Sequence, residues 1–507
     1  MTPLLKPAAA ATLAILSGTG VPTAAQPGTS GTALTIYSSA APGAVSPELM
    51  RAPSRGALPG YGVVRQERNL EFTKGRNAVR FSDVAALIDP TTVVFESLTD
   101  AKGTTVLEQN YQFDLVSTEK LLQKYVDRPI TVDQVRGQGT ESFSGTLLST
   151  QGGMVLKRDD GSVQILPHNA GVRLPSLPGG LITRPTLVWD LNAQRAGTHR
   201  TRVSYQTQGM TWWADYNVTY AEGAHANACS LDIGAWVSIV NQSGASYGDA
   251  RLKLVAGEVH RATSAAPYPQ SVAKGLAARE SVADGFAEKS FFEYHLYTLG
   301  RATTLPDNST KQIELFPVAR RVPCERVLVY YGAPMGHRGF LPSPATDRNY
   351  GVQGNRKVDV YLQFRNSDAN NMGMPLPAGR MRVSKLDPAD QTLEFVGEDS
   401  IEHTPRNEQV QLQLGSAFDV VGERRQVDFR VDTSRRTMTE DIEVRLRNQK
   451  KERVQVQVKE NLYRWVNWNI ASRSHDFRKE DARTIVFPVT VAPEAEVVVR
   501  YTVQYTW

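Results

Sequence analysis

Val358-Asp-Val-Tyr-Leu-Gln-Phe364 and Val454-Gln-Val-Gln-Val458 alternate apolar and polar residues with a period of two. Alternation of that kind sends one set of side chains to a buried face and the other to water, as in a half-buried β-strand. Working outward, comparable runs occur at residues 94–98, 153–157, 202–205, 235–240, 326–331, 409–414, 453–459 and 496–505. Gly, Asn, Asp and Pro punctuate them about every ten residues, a spacing of sandwiches and small barrels and not of βαβ units. The pattern predicts a mainly-β chain of antiparallel β-sandwich domains plus a small SH3-like barrel, with few short helices. The spacing predicts one helix at 117–125 (Ser-Thr-Glu-Lys-Leu-Leu-Gln-Lys-Tyr) and a second at 272–283.

The 507 residues are enough for several domains. With 41% hydrophobic and 21% charged residues, 39 Gly and 28 Pro, the composition is globular, which excludes collagen-like, wholly disordered and multi-span membrane classes. The net charge is +5, but the signs interleave, as in Arg356-Lys357-Val358-Asp359. Without a basic arm or patch carrying aromatics, no nucleic-acid partner is expected.

Residues 1–25 read as an export signal. Lys6 is the only charge, residues 7–17 are small and apolar, and Val21-Pro-Thr-Ala-Ala25 offers small residues before Gln26. Its apolar core is too short to span a bilayer, and no Cys follows the cleavage point. A periplasmic or secreted protein with no transmembrane segment after signal removal is expected. In that oxidising compartment Cys229 and Cys324 are expected to form a disulfide. Closing a loop of about 95 residues contributes roughly 4–5 kcal/mol in the chain-entropy model.

The remaining chain divides by composition. Residues 26–60, rich in Ala, Gly, Pro and Ser, read as a flexible tail. Residues 61–115 carry an N-terminal β region. Residues 116–172 place a helix before several strands, with a hairpin turn at Asp159-Asp-Gly161, as a small SH3-like barrel would. Residues 173–350 form a central β domain and 351–507 a C-terminal β-sandwich.

Three groups of residues are site candidates. Gly209-Met-Thr-Trp-Trp-Ala-Asp-Tyr216 concentrates aromatics, so Trp212, Trp213, Tyr216 and Tyr297 are candidate binding residues, although adjacent strand residues such as Trp212 and Trp213 face opposite ways. Two Glu-x-His pairs, Glu258 with His260 and Glu293 with His295, each share one strand face. If their strands are neighbours, the four residues resemble an open metal site. Glu398, Asp399, Glu402 and His403 form an acidic cluster that reads as a turn or solvated edge. Gly244-Ala-Ser-Tyr-Gly248 matches Gly-x-Ser-x-Gly, yet strand-like runs flank it on both sides, whereas a nucleophile elbow leads into a helix. A hairpin loop is expected there, and no cofactor motif is present.

The strings Gly209-x-x-Trp-x-Ala-Asp-Tyr216, 231–257 (opening Leu-Asp-Ile-Gly-Ala-Trp-Val-Ser) and Tyr294-His-Leu-Tyr-Thr-Leu299 resemble the bacterial family catalogued as domain of unknown function 4139. Pro375-Leu-Pro-Ala-Gly379, Gly397-Glu-Asp399, Gly415-x-Ala-Phe-Asp419 and Trp465-Val-Asn-Trp468 extend the similarity over residues 190–507. Relatives called mucoidy inhibitor A carry a coiled coil before this domain, and this chain does not. The resemblance implies a β-rich envelope or secreted protein and carries over no catalytic residues. The combined expectation is a non-catalytic scaffold whose partner is an envelope protein or polysaccharide. The alternatives are an envelope hydrolase or metal enzyme built on the two Glu-x-His pairs, and a polysaccharide-binding module built on Trp212 and Trp213.

Overall fold

The alternating runs become strands whose apolar halves meet in two cores. In the strand Lys357–Arg365, Val358, Leu362 and Phe364 are buried while Asp359 and Gln363 lie on the other face. The computed structural model describes residues 31–37, 58–136, 139–166, 171–176, 178, 181–225, 227–257, 259, 285–332, 343–352 and 354–507. It is mainly β, with 29 strands and one α-helix among the described residues. They form sheets of thirteen, eight, five and three strands. The expected helix at 272–283 lies outside the described residues, as does the signal.

The helix Thr118–Lys124 has Ser117 as its N-cap, whose hydroxyl accepts from Lys120 N, with Glu119 in the first turn and Lys124 in the last. Its Leu122, together with Tyr125, packs on Ile130, Val132, Phe143 and Leu156 of the five-stranded sheet, giving that unit a core of its own. The turn at 159–161 is present, with Gly161 in the left-handed region at φ 83°. The sheet does not close into an SH3-like barrel, however. Gly171–Arg173 and Val163–Leu166 remain its two edges among the described residues. Edge strands this short cannot coil round to meet, and the helix already covers part of the apolar face that closure would bury.

A second difference concerns the stretch read as a flexible tail. Thr32–Tyr37 is an internal strand of the eight-stranded sheet, antiparallel to Tyr61–Phe72 and parallel to Tyr247–Ala256. Leu34 and Ile36 are fully buried. Six residues of strand sequence were masked by the Gly- and Pro-rich composition on either side.

The two large cores interleave along the chain. The first gathers side chains from Leu34 to Leu412 and the second from Leu328 to Tyr505. Two long strands serve both. Ser309–Tyr331 gives Ile313 and Val322 to the first core and Leu328 and Tyr330 to the second, while Gln409–Asp432 gives Leu412 and then Phe429. Residues Leu362, Met381 and Ile401 of the 351–507 region thus belong to the first core.

Three buried asparagines mark where the chain leaves one ladder for another that is not its neighbour. Asn241 ends Ala228–Asn241, and its amide donates to the carbonyls of Ala245 (2.9 Å) and Pro306 (3.0 Å) while its oxygen accepts from Ser243 N. Asn448 ends Thr437–Asn448 and donates to Glu452 O (2.8 Å) and Ala492 O (3.0 Å). Asn366, just after Lys357–Arg365, donates to Met374 O and Pro405 O and accepts from Gly373 N. The next strand in each case enters a parallel ladder: Tyr247–Ala256 with Thr32–Tyr37, Val454–Asn461 with Ser309–Tyr331, and Gly379–Leu386 with Met210–Glu222. A buried amide thereby satisfies the turn carbonyls that no ladder can reach. The 244–248 loop is one of these arches and not a hairpin, because the strands on its two sides pair elsewhere. Ser246 Oγ there accepts Asp307 N at 2.9 Å, a structural bond.

Candidate functional site

The strand Met210–Glu222 lies between Ala228–Asn241 and Gly379–Leu386, so its even-numbered residues at 212–216 point into the first core. Trp212 packs edge-on against Tyr297 at 6.2 Å, and both are about 1% exposed. Tyr216 and Tyr297 donate their hydroxyls to Pro377 O and Pro375 O, each at 2.8 Å. Burial pushes both phenols well above their ordinary pKa. Trp213 turns to the opposite face, where its indole N–H donates to Asp215 Oδ2 at 2.6 Å. Asp215 also accepts from Ser238 Oγ and Arg382 Nη1. Three of the four aromatic candidates are therefore sheet-packing residues out of a partner's reach, and Trp213 is tied into a polar network.

Of the metal candidates, Glu258 and His260 lie outside the described residues. The two strands concerned are neighbours, with Val255 opposite Leu296 and Ala256 opposite His295. Glu293 sits exposed in the turn that follows Phe286–Phe291, outside the strand Tyr294–Leu299 that carries His295. His295 Nδ1 instead meets Glu288 Oε1 at 2.7 Å, across the hairpin. His403 comes close to them. Its Nδ1 accepts Ala378 N at 3.0 Å, which leaves the proton of the neutral ring on Nε2. The protein packed around His403, and then the charge of His295, hold its pKa below the ordinary value. Among the described residues no group of three or more His, Cys, Asp or Glu is arranged to hold a metal.

Beside this cluster opens a cleft of about 830 Å³. One wall is the stretch 316–320 of the long strand Ser309–Tyr331, where the ladder to Ala228–Asn241 shifts register three times and Pro317 offers no donor. The facing wall is the loop 368–374 held by Asn366, with Asn371 in the left-handed region at φ 57°. Phe316, Val318, Met372, Met374 and Leu376 supply its apolar surface, and Arg320 and Arg406 its cations. Its two carboxylates are already engaged, Asp368 with Arg406 and Glu288 with His295. Among the described residues no Ser, Thr or Cys lines it. The chemistry available is shape, apolar contact and two guanidinium groups, which suits recognition.

Sequence reasoning did not find this cleft. The signal that could have done so is Asn370-Asn-Met-Gly-Met374, two methionines in a turn-forming run between strands. The acidic cluster proves structural: Glu398 bridges Arg380 and Arg382, and Asp399 Oδ2 accepts Gln413 N at 2.7 Å. Cys229 and Cys324 form the expected disulfide, directly opposite one another on paired strands. No helix among the described residues is long and apolar enough to cross a membrane. No family model, curated protein or solved structure matches this chain.

Proposed function

We propose that this is an exported, non-catalytic scaffold of the bacterial envelope that binds a partner protein in the cleft between residues 316–320 and 368–374. The observation that carries the reading is the state of the cleft's carboxylates. Asp368 is tied to Arg406 and Glu288 is hydrogen-bonded to His295 within an otherwise apolar, methionine-bearing wall, a surface suited to contact. Methionines accommodate varied apolar side chains, which fits a protein ligand. The export signal, the disulfide and the resemblance to the family of unknown function 4139 support the location.

A photoreactive benzoylphenylalanine in place of Val318, which is exposed on the wall, tests this. One discrete crosslinked product from envelope fractions, lost when Met374→Asp is added, is the expected result. An activity abolished by Glu288→Gln or His295→Ala would overturn the reading.

The enzyme alternative on Glu258, His260, Glu293 and His295 draws on the pairing of Tyr247–Ala256 with Tyr294–Leu299. Stoichiometric metal in the purified protein, lost in a His260→Ala/His295→Ala variant, would replace the scaffold reading. The polysaccharide alternative loses its platform with Trp212 buried and Trp213 bonded to Asp215.

A further inference from the structure

Seven consecutive strands of the thirteen-stranded sheet curl back on themselves, from Leu393–Ile401 through Gly379–Leu386, Met210–Glu222, Ala228–Asn241, Ser309–Tyr331 and Lys357–Arg365 to Gln409–Asp432. The first and last meet without a ladder. Gln413 N donates to the Asp399 side chain, and Gly397 sits so close to Leu414 O that a Cβ would approach it to 2.5 Å. One end of this curl opens in a pocket of about 230 Å³. Tyr220, Val360, Leu362, Val396 and Leu414, from four different strands, make its apolar lining. The Lys385–Glu222 pair (2.7 Å) and the Arg326–Glu452 pair (3.1 Å) stand at its edge. It shares no residue with the cleft described above.

Large apolar side chains stand in water on the strands that carry this lining. Phe418, three residues past Gly415 of the pocket, is 94% exposed, and Phe395, beside Val396, is 61% exposed. Leu393 and Leu386, opposite each other across the same hairpin, are exposed too. Aromatics held in solvent on strands that also line an apolar hollow, with charges confined to its rim, have the composition of an interface centre. The hollow lies below the roughly 300–1,000 Å³ of small-molecule sites and matches a single large side chain. Lys385, next to Leu386 and opposite Glu394, is held by Glu222, and the remaining charges of the hairpin between residues 385 and 394 are acidic. Asp387, Asp390 and Glu394 crowd the hairpin, and none of them has a cation partner among the described residues. This surface would repel an anionic lipid headgroup and attract basic residues.

The geometry points to a second docking site, at the mouth of the curled sheet, for a protein segment that inserts one large apolar side chain between flanking lysines or arginines. The test uses the full mature chain and labelled nine-residue peptides with a central Trp flanked by Lys, Ser or Glu, read by fluorescence polarisation. The Lys-flanked peptide is expected to bind at least about tenfold more tightly than the Glu-flanked one, and more weakly as salt rises. Phe418→Ser, at a side chain too exposed to matter for folding, and Val396→Asp should each weaken it by about tenfold. Asp390→Lys/Glu394→Lys should invert the charge preference, whereas Met374→Asp in the cleft should leave it unchanged. Equal binding of Lys- and Glu-flanked peptides, or indifference to both Phe418→Ser and Val396→Asp, would overturn the proposal. So would Phe418-dependent sedimentation of the protein with phosphatidylglycerol vesicles, which would make the patch a lipid contact.

Discussion

Removing the charge of Glu460 is expected to destabilise the second core far more than removing Glu460 and Arg424 together. Glu460 Oε2 accepts Arg424 Nε at 2.9 Å and Tyr501 Oη at 2.6 Å, with the two charged side chains 0% and 1% exposed. A second pair lies against it: Arg464 and Glu440 at 3.2 Å, equally buried, with Gln426 donating to Glu440. Arg464 also donates to the carbonyls of Ala345, Asp347, Arg348 and Tyr350, and so ties the 343–352 segment to this core. The cluster holds two cations and two anions. Glu460→Gln keeps the shape but strands the Arg424 charge in a dry interior, at a cost of about 3–5 kcal/mol. Arg424→Met strands the carboxylate at similar cost. Arg424→Met with Glu460→Leu removes both charges and should cost less than either single change, giving a coupling energy of at least about 2 kcal/mol. Guanidinium titrations followed by fluorescence of Trp465 and Trp468, both packed on this core, would measure the cycle. If Glu460→Gln costs under about 1 kcal/mol and the double variant equals the sum of the singles, the charges reach water and the reasoning fails.

Four further outcomes follow from the same structure. Replacing Cys229 and Cys324 by Ala opens a loop with a sequence separation of 95 residues, so the denaturation midpoint should fall by the equivalent of about 4–5 kcal/mol, and reductant should lower only the parent protein. Asn448→Ala removes the partner of the buried turn carbonyls of Glu452 and Ala492 and should cost about 2 kcal/mol or more, read from the urea midpoint. The Arg202 and Arg200 guanidiniums hold the Glu67 carboxyl below its ordinary pKa, as Arg445 and Arg500 hold that of Glu443. With the folded values depressed, this stability is present above the unfolded carboxylate pKa and is lost as pH falls through the folded values, so Glu67→Gln should flatten the acid limb of a stability–pH curve. His403, also depressed, should titrate by NMR below 6.5; its contribution is full above that value and declines as pH drops below it, and His403→Gln should remove that decline.

The difference between what was and was not legible follows the range of the interactions involved. The alternation at 358–364 and 454–458 is a property of neighbouring residues, and both runs lie within observed strands, Lys357–Arg365 and Val454–Asn461. The helix at 117–125 and the turn at 159–161 are equally local and were read correctly, the helix as Thr118–Lys124. The failures are nonlocal. Whether the strands on either side of 244–248 pair with each other depends on Asn241 reaching Pro306 across 65 residues, and nothing near Asn241 announces that bond. The strand Thr32–Tyr37 exists because Tyr61–Phe72 and Tyr247–Ala256 offer it two ladders; alone it is six residues in a Gly- and Pro-rich stretch.

The same distinction bears on the site. Aromatic density at 212–216 drew attention because Trp and Tyr are common in binding faces, yet they are also the residues with most apolar area to bury. The sheet register, which decides between the two outcomes, put Trp212 and Tyr216 inside. Phe418 and Phe395 carry no comparable density in sequence and stand in water. Burying Trp212 and Tyr216 pulls the fold together, whereas exposing Phe418 beside a hollow gains nothing for the isolated chain. An apolar ring that contributes nothing to its own fold is the stronger indication of a partner. By that measure the mouth of the curled sheet is a better place than the tryptophan segment to seek a partner beyond the one proposed for the cleft.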